Sequence, residues 1–167
     1  AKVVMRVYES ADVGAELKGP NDPVTRADKE ANALLLELLA RDFPGIPIVA
    51  EESDPAAFKG FGDSPVALFV DPVDGTRDFI AKNGEFAVML GFAEDGEASV
   101  GVVDCPAIGE AYAGARDLGA FRIKYGSSVR EPIHVSDATD LSACRCAVSR
   151  FHRSKSVDAK LNALAVR

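Results

Sequence analysis

The 167-residue chain has three cysteines, no tryptophan, and no apolar run approaching the roughly 20 residues that cross a bilayer as a helix. An odd cysteine count excludes a framework in which every thiol is bridged, and it fits a reducing compartment. Cys144 and Cys146 lack the second pair that a four-cysteine metal site needs. They alternate on an expected strand, Ala143–Val148, and read as small buried hydrophobes. No signal-peptide pattern is visible, so the expected location is the cytoplasm, with peripheral attachment to the inner membrane as an alternative. Repeats and low-complexity segments are absent as well. Acidic residues outnumber basic ones, giving a formal net charge of −7, which disfavours nonspecific binding to polymeric nucleic acid. A small anionic partner stays compatible, because bound cations can invert the potential locally. With 47% hydrophobic residues, a chain of this length can bury a core without staples.

What is present is concentrated in Asp71-Pro72-Val73-Asp74-Gly75-Thr76, directly behind the apolar run Val66–Val70. Pro72 fixes its own φ, and Gly75 permits a tight turn and close backbone approach. Asp71 and Asp74 can therefore face one point beyond the strand end. Thr76 opens a short helix whose free N–H groups suit a phosphate. Two carboxylates beside an anion-binding turn call for a cation between them, and hard oxygen donors favour Mg²⁺. The local reading is metal-assisted phosphate chemistry.

A second apolar run, Ile46–Ala50, closes in Glu51-Glu52-Ser53. If the two strands are neighbours, Glu51 and Asp71 leave equivalent ends and their charges converge. Packed like charges raise each other's pKa unless a cation neutralises them. The alternative is that both acidic groups are solvated turn residues, since Asp and Gly are ordinary there.

The remaining pattern reads as α+β. Val3–Ser10 is the tail of a helix and Gly14–Asp22 a loop. Asp28–Phe43 is a helix with Ala31, Leu34, Leu35, Leu38 and Leu39 at helical spacing, stopped by Pro44-Gly45. Phe86–Phe92, Ala98–Val103, Glu110–Ala115 and Ala120–Lys124 suit an antiparallel meander. Ser136–Leu141 is a polar connection, followed by the strand Ala143–Val148 and a helix at Ser156–Ala165. The expected division is a metal-binding α+β domain at 1–135 and the start of an incomplete α/β domain at 136–167.

Glu51-Glu52-Ser53 followed by Asp71-Pro72-Val73-Asp74-Gly75-Thr76 and Phe79, at that spacing, resembles the inositol monophosphatase superfamily of lithium-sensitive, Mg²⁺-dependent phosphatases. Asp22-Pro23-Val24-Thr25-Arg26-Ala27-Asp28 resembles its "PVTxAD" segment. Ser149-Arg150-Phe151-His152-Arg153-Ser154 is similar to the "SRSHRS" segment of the bacterial 3'(2'),5'-bisphosphate nucleotidases of CysQ type, with Phe151 in place of a serine. The resemblance implies a layered sugar-phosphatase fold, with α-helices packed on a mostly antiparallel sheet. It further implies two or three Mg²⁺ ions. Glu51, Asp71 and the carbonyl of Val73 would bind the first, and Asp71 and Asp74 part of the second. Backbone N–H groups of Gly75 and Thr76 would cradle the phosphate. Asp28, Thr76 and Glu51 are the catalytic candidates, Thr76 orienting the attacking water with Asp28 behind it. Asp28 is equally placed for a helix N-terminus, where an acid suits the macrodipole. The two roles can be combined.

Ser149, His152 and Lys18 are the substrate candidates. Ser149 and His152 follow an expected strand, where a crevice would open, and Arg150 and Arg153 could add charge there. A basic helix entry with a solvated His152, and an exposed loop lysine at 18, are the plainer alternatives. His134 carries no assigned role. The expected activity is removal of the 3'-phosphate of 3'-phosphoadenosine 5'-phosphate, giving AMP. Inositol monophosphatase and fructose-1,6-bisphosphatase activities are the rivals, and the superfamily contains monomers and homodimers. One departure matters. The family carries a later "WDxAAG" segment whose Asp completes the second metal site, and this chain has no tryptophan. It therefore reads as a fragment of a longer enzyme, with roughly 90 to 100 further residues expected. A metal-binding but catalytically silent domain is the reading that follows if they are missing.

Overall fold

The computed structural model describes residues 1–58, 61–151 and 154–164. They fall into two compact units, Ala1–Ile133 and His134–Arg167. The first unit opens with helix α1 (Lys2–Tyr8), strands β1 (Glu16–Gly19) and β2 (Asp22–Val24), and helix α2 (Arg26–Asp42). Strand β3 (Ile48–Ala50), strand β4 (Val66–Asp74) and the short helix α3 (Thr76–Ile80) follow. Strands β5 (Ala87–Glu94), β6 (Glu97–Cys105), β7 (Glu110–Ala115), β8 (Gly119–Lys124) and β9 (Arg130–Ile133) complete it. Among the described residues β3 to β9 form one sheet in chain order. Only β3–β4 is parallel; each later pair is antiparallel. This is an α+β fold with helices packed on a mixed, mostly antiparallel sheet.

Helix α2 starts where its chemistry says it should. Thr25 is extended and its side chain accepts from the N–H of Ala27, while Asp28 accepts from the Thr25 backbone, a capping box. At the far end Phe43 caps onto Leu39, and Pro44 cannot continue the helix. Ala27, Ala31 and Leu39 are buried, with Leu35 packed against the same core. Leu34, expected on that stripe, is exposed, and Asn32 is buried instead. The stripe thus runs through 28, 32, 35 and 39, one strip of helix surface with two polar positions in it.

Two apolar clusters seat the helices on the sheet. Val4, Val7, Ala27, Ala31, Val73, Phe79, Phe86 and Val88 form one, closed by Tyr8. Leu39, Ala50, Leu68 and Val70 form the other. Phe79 is fully buried and meets the rings of Tyr8 and Phe86 at 5.2 and 4.9 Å, which pins α3 beneath the start of β5. Strand β4 continues past Val70 to Asp74. A bulge lies between Asp71 and Asp74, where three steps on β4 face two on β5. Pro72 accounts for it, since proline donates no ladder hydrogen bond and an inner strand accepts it only at a bulge.

Three expectations need correction. The stretch 14–22 is not all loop: β1 and β2 pair around Pro20-Asn21, with Asn21 at φ 61°. Proline before a residue of positive φ is a turn signal that the short flanking strands obscure. Strand β9 was not expected because its four residues include Pro132, which an edge strand accommodates. In the second unit, Ala143–Val148 is not a strand. Asp140 accepts from the N–H of Ser142 at 2.9 Å and starts a 3₁₀ turn, Leu141–Ala143. Beyond it the backbone is irregular, with no ladder partner among the described residues. Cys144 is consequently half-buried and Cys146 exposed, not the buried hydrophobes expected. Helix α4 (Lys155–Leu164) closes the described part of this unit. No helix among the described residues is long and apolar enough to cross a membrane.

Candidate functional site

The parallel pairing of β3 and β4 aligns Ala50 with Val70, and the N–H of Glu51 donates to the Val70 carbonyl at 3.0 Å. Glu51, just past β3, and Asp71, at the start of the β4 bulge, therefore lie at one level. Three carboxylates gather there, and Asp71 records the consequence. Burial, then the charges of Glu51 and Asp74 and a hydrogen bond with Glu51, push its pKa up from 3.8 to about 7. The Val73 N–H, 3.1 Å from Asp71 Oδ1, works in the opposite direction without prevailing.

Lys18, on β1, reaches over this acidic turn. Its Nζ lies 2.9 Å from Glu51 Oε1, 2.5 Å from Glu52 Oε1 and 3.7 Å from Asp22 Oδ1. Burial opposes its charge, yet hydrogen bonds to Glu52 and Glu51 outweigh that and raise its pKa. The β1–β2 turn is also tied to α3, because Arg77 donates to the carbonyl of Asn21. Lysine 18 is thus an ion-paired residue of a hairpin, not a solvated loop lysine.

Asp28 holds both positions open to it. Its Oδ2 accepts from the Thr25 N–H at 2.8 Å and the Thr25 hydroxyl at 2.5 Å. Its Oδ1 stands 3.3 Å from Thr76 Oγ1. The Thr76 hydroxyl also has the Val73 carbonyl at 3.1 Å. A hydroxyl carries one proton, so carbonyl and carboxylate compete for it. Asp28 itself is almost wholly buried, which gives this contact a low-dielectric setting.

The turn into α3 depends on Gly75. Its φ is +84°, and a Cβ there would stand 2.8 Å from the carbonyl oxygen of Glu85. No side chain fits, so the backbone of β5's approach closes directly over the turn. The N–H groups of Gly75 and Thr76, the expected phosphate contacts, lie at the start of α3 beside Asp28 and Asp74.

The donor set of Glu51, Asp71, Asp74 and the Val73 carbonyl is made of hard oxygens, the type that Mg²⁺ takes. Burial raises the Asp71 pKa most, and the charges of Glu51 and Asp74 that add to it are ones a cation would neutralise. Donor type and charge fit such an ion. Their present arrangement does not enclose one: among the described residues no three His, Cys, Asp or Glu side chains are placed to hold a metal.

Ser149 lies in the second unit, exposed and outside regular secondary structure, and it is not without interaction partners. His152 lies outside the described residues. Two residues of the first unit escaped the sequence reading: Glu52, which shares Lys18, and Asn32. The signal for Asn32 was available, a polar residue one helical turn after Asp28 on an apolar stripe.

An α+β sheet with acidic turns at the ends of a parallel strand pair, facing a glycine turn and a Thr–Asp contact, defines a class of fold and site. The chain belongs to the inositol monophosphatase family, which it matches over residues 1–165. Among curated proteins it is 38% identical over 136 residues to the 3'(2'),5'-bisphosphate nucleotidase CysQ of Salmonella typhimurium, covering 81% of this chain and 54% of that protein. It is also 34% identical over 134 residues to the Nus factor SuhB of the same species, covering 77% and 49%. Among solved structures, the IMPase of Thermotoga maritima superposes with a TM-score of 0.70 at 31% identity, covering 86% of this chain and 52% of that one. The chain spans about half the length of the curated relatives it matches.

Proposed function

We propose that the protein hydrolyses phosphomonoesters with Mg²⁺, two or three ions being held around Glu51, Asp71, Asp74 and the Val73 carbonyl. The observation that carries this reading is the β3–β4 register that brings Glu51, just past β3, level with Asp71 within β4, with Asp71 pushed up to about 7 by burial and by its acidic neighbours. When bound, such ions lower the pKa of an attacking water and stabilise the leaving oxygen. The chain's own groups do the rest. The N–H groups of Gly75 and Thr76 face the phosphate. Thr76 orients the water through its hydroxyl, whose oxygen takes the water's proton as its own proton passes to Asp28 Oδ1, so that Asp28 is the final acceptor. Lys18, already held among acids, offers its charge to an incoming phosphate as those acids are neutralised.

Within that chemistry, the substrate favoured is a small nucleotide carrying a 3'-phosphate, 3'-phosphoadenosine 5'-phosphate giving AMP. The 38% identity to the Salmonella nucleotidase and the Ser149–Ser154 segment support it. Likeness to the Thermotoga IMPase supports inositol monophosphate as the second reading. The test is Mg²⁺-dependent phosphate release from 3'-phosphoadenosine 5'-phosphate, inositol 1-phosphate and fructose 1,6-bisphosphate. Preference for the nucleotide bears out the finer reading. Preference for a sugar phosphate keeps the mechanism and discards the nucleotide. No release from any of the three removes the phosphatase reading.

A further inference from the structure

Asn32 is an expensive residue where it stands. It lies in the middle of α2, 7% exposed, on the strip that carries Asp28, Leu35 and Leu39 toward the core. It caps nothing, being past the first turn of the helix. Its Nδ2 donates to Ser53 Oγ at 3.3 Å, while its Oδ1 is buried without a partner among the described residues. Exchanging the amide's oxygen and nitrogen leaves the same deficit, because the Ser53 hydroxyl would then serve the oxygen and strand the NH₂. A buried group left half-paired destabilises a fold, and an apolar residue of similar size would pack here without that penalty.

The contact it does make falls at a telling place. Ser53 closes the turn after β3, its N–H donating to the Ala50 carbonyl at 3.1 Å. Glu51 and Glu52 are the two residues inside that turn. One helical turn earlier on the same face of α2, Asp28 reaches Thr76, the first residue of α3 and the end of the turn after β4. Helix α2 therefore ties both acidic turns, the second through Asp28 and the first through Asn32. The other restraints on the Glu51-Glu52 pair among the described residues are the Glu51 backbone bond to β4, the Glu51–Asp71 hydrogen bond and the ion pairs with Lys18.

We infer that Asn32 is a positioning residue: through Ser53 it sets the Glu51-Glu52 turn so that the Glu51 carboxylate is presented with Asp71 and Asp74 to a divalent cation. This rests on the metal-dependent reading of the site. Groups that orient ligands without touching the ion typically change metal affinity by about 10- to 100-fold when lost. Removal of Asn32 acts oppositely on two observables. Cation binding weakens, while the metal-free fold is no less stable, since an orphaned amide has gone.

The experiment uses the full chain and Mg²⁺ alone as the probe. Asn32→Ala, Asn32→Leu and Ser53→Ala are compared with the unaltered protein by titration calorimetry and by thermal unfolding in EDTA. The expected result is Mg²⁺ binding about 10-fold weaker in all three, with the EDTA midpoint of Asn32→Leu unchanged or higher. The double variant Asn32→Ala/Ser53→Ala should bind no more weakly than either single one, because both act through one contact. Mg²⁺ affinity within twofold of the unaltered protein in both Asn32 variants overturns the proposal and leaves the phosphatase reading standing. So does unfolding of both in EDTA, which would make Asn32 purely structural. An unaltered protein that binds no Mg²⁺ removes both readings together.

Discussion

Asp28 and Thr76 are 48 residues apart in the chain and meet at 3.3 Å, Oδ1 to Oγ1. The same carboxylate closes the capping box of α2 through its other oxygen. A helix start and a candidate catalytic contact thus share one side chain, and their separation is testable.

Thr76→Val keeps the shape of the side chain and removes the hydroxyl. Turnover should fall by roughly 100- to 10,000-fold with little change in the unfolding midpoint. Thr76→Ser should retain most activity. Asp28→Ala should lose turnover and also about 1–3 kcal/mol of stability, because the Thr25 N–H and hydroxyl are left buried without an acceptor. Equal loss of activity in Thr76→Val and Thr76→Ser would argue against the hydroxyl's role.

Asp71→Asn removes the carboxylate that Glu51 and Asp74 crowd. Mg²⁺ binding and turnover should both disappear, while the metal-free protein at neutral pH becomes no less stable because like-charge repulsion is relieved. Calorimetric Mg²⁺ titration and unfolding in EDTA check the two halves. Near-normal turnover would remove the shared-ligand assignment.

The pH dependence has a definite sign. Asp71 has a folded-state pKa of about 7 against an ordinary value of 3.8. Between those values the folded metal-free protein holds a proton that the unfolded chain releases. Its contribution to stability is present below pH 3.8 and lost as pH rises through about 7. If Mg²⁺ binds as proposed it must displace that proton, so the thermal shift produced by Mg²⁺ should be small near pH 6 and reach a plateau above pH 7. Asp71→Asn should flatten the metal-free profile over the same window; an unchanged profile would assign the titration elsewhere.

Gly75→Ala places a Cβ 2.8 Å from the Glu85 carbonyl at a backbone φ of +84°. The left-handed conformation alone costs about 1–2 kcal/mol in a non-glycine residue, and the clash adds to it. A lower unfolding midpoint together with lost phosphate release is the expected outcome. An alanine variant of normal stability and activity would show that the turn has another conformation available.

Much of the site was legible because its signals are local. Two apolar runs ending in acids, a proline between two aspartates, a glycine before a threonine, and an acid at position 28 suited to a helix start are each readable within a few residues. Their conjunction carried the family resemblance, and the parallel β3–β4 register brought Glu51 and Asp71 to one level as the paired runs suggested. The meander was legible for the same reason, since its hairpins are close in sequence. Ala143–Val148 misled because a run of small and apolar residues does not make a strand without a ladder partner, and Asp140 offered the backbone a competing turn.

The sequence by itself determined helix α2, the meander β5–β8, the acidic turns and the oxygen-rich donor set, because periodicity and turn chemistry act over a few residues. Only the tertiary structure decided that Lys18 lies among Glu51, Glu52 and Asp22, that the Thr76 proton has two acceptors, and that Asn32 ties α2 to the Glu51-Glu52 turn. Each of these depends on which helix face meets which strand end. That choice is made by burying the Val73–Phe79–Phe86 and Leu39–Val70 clusters together, contacts between segments far apart in the chain whose partners no local pattern specifies.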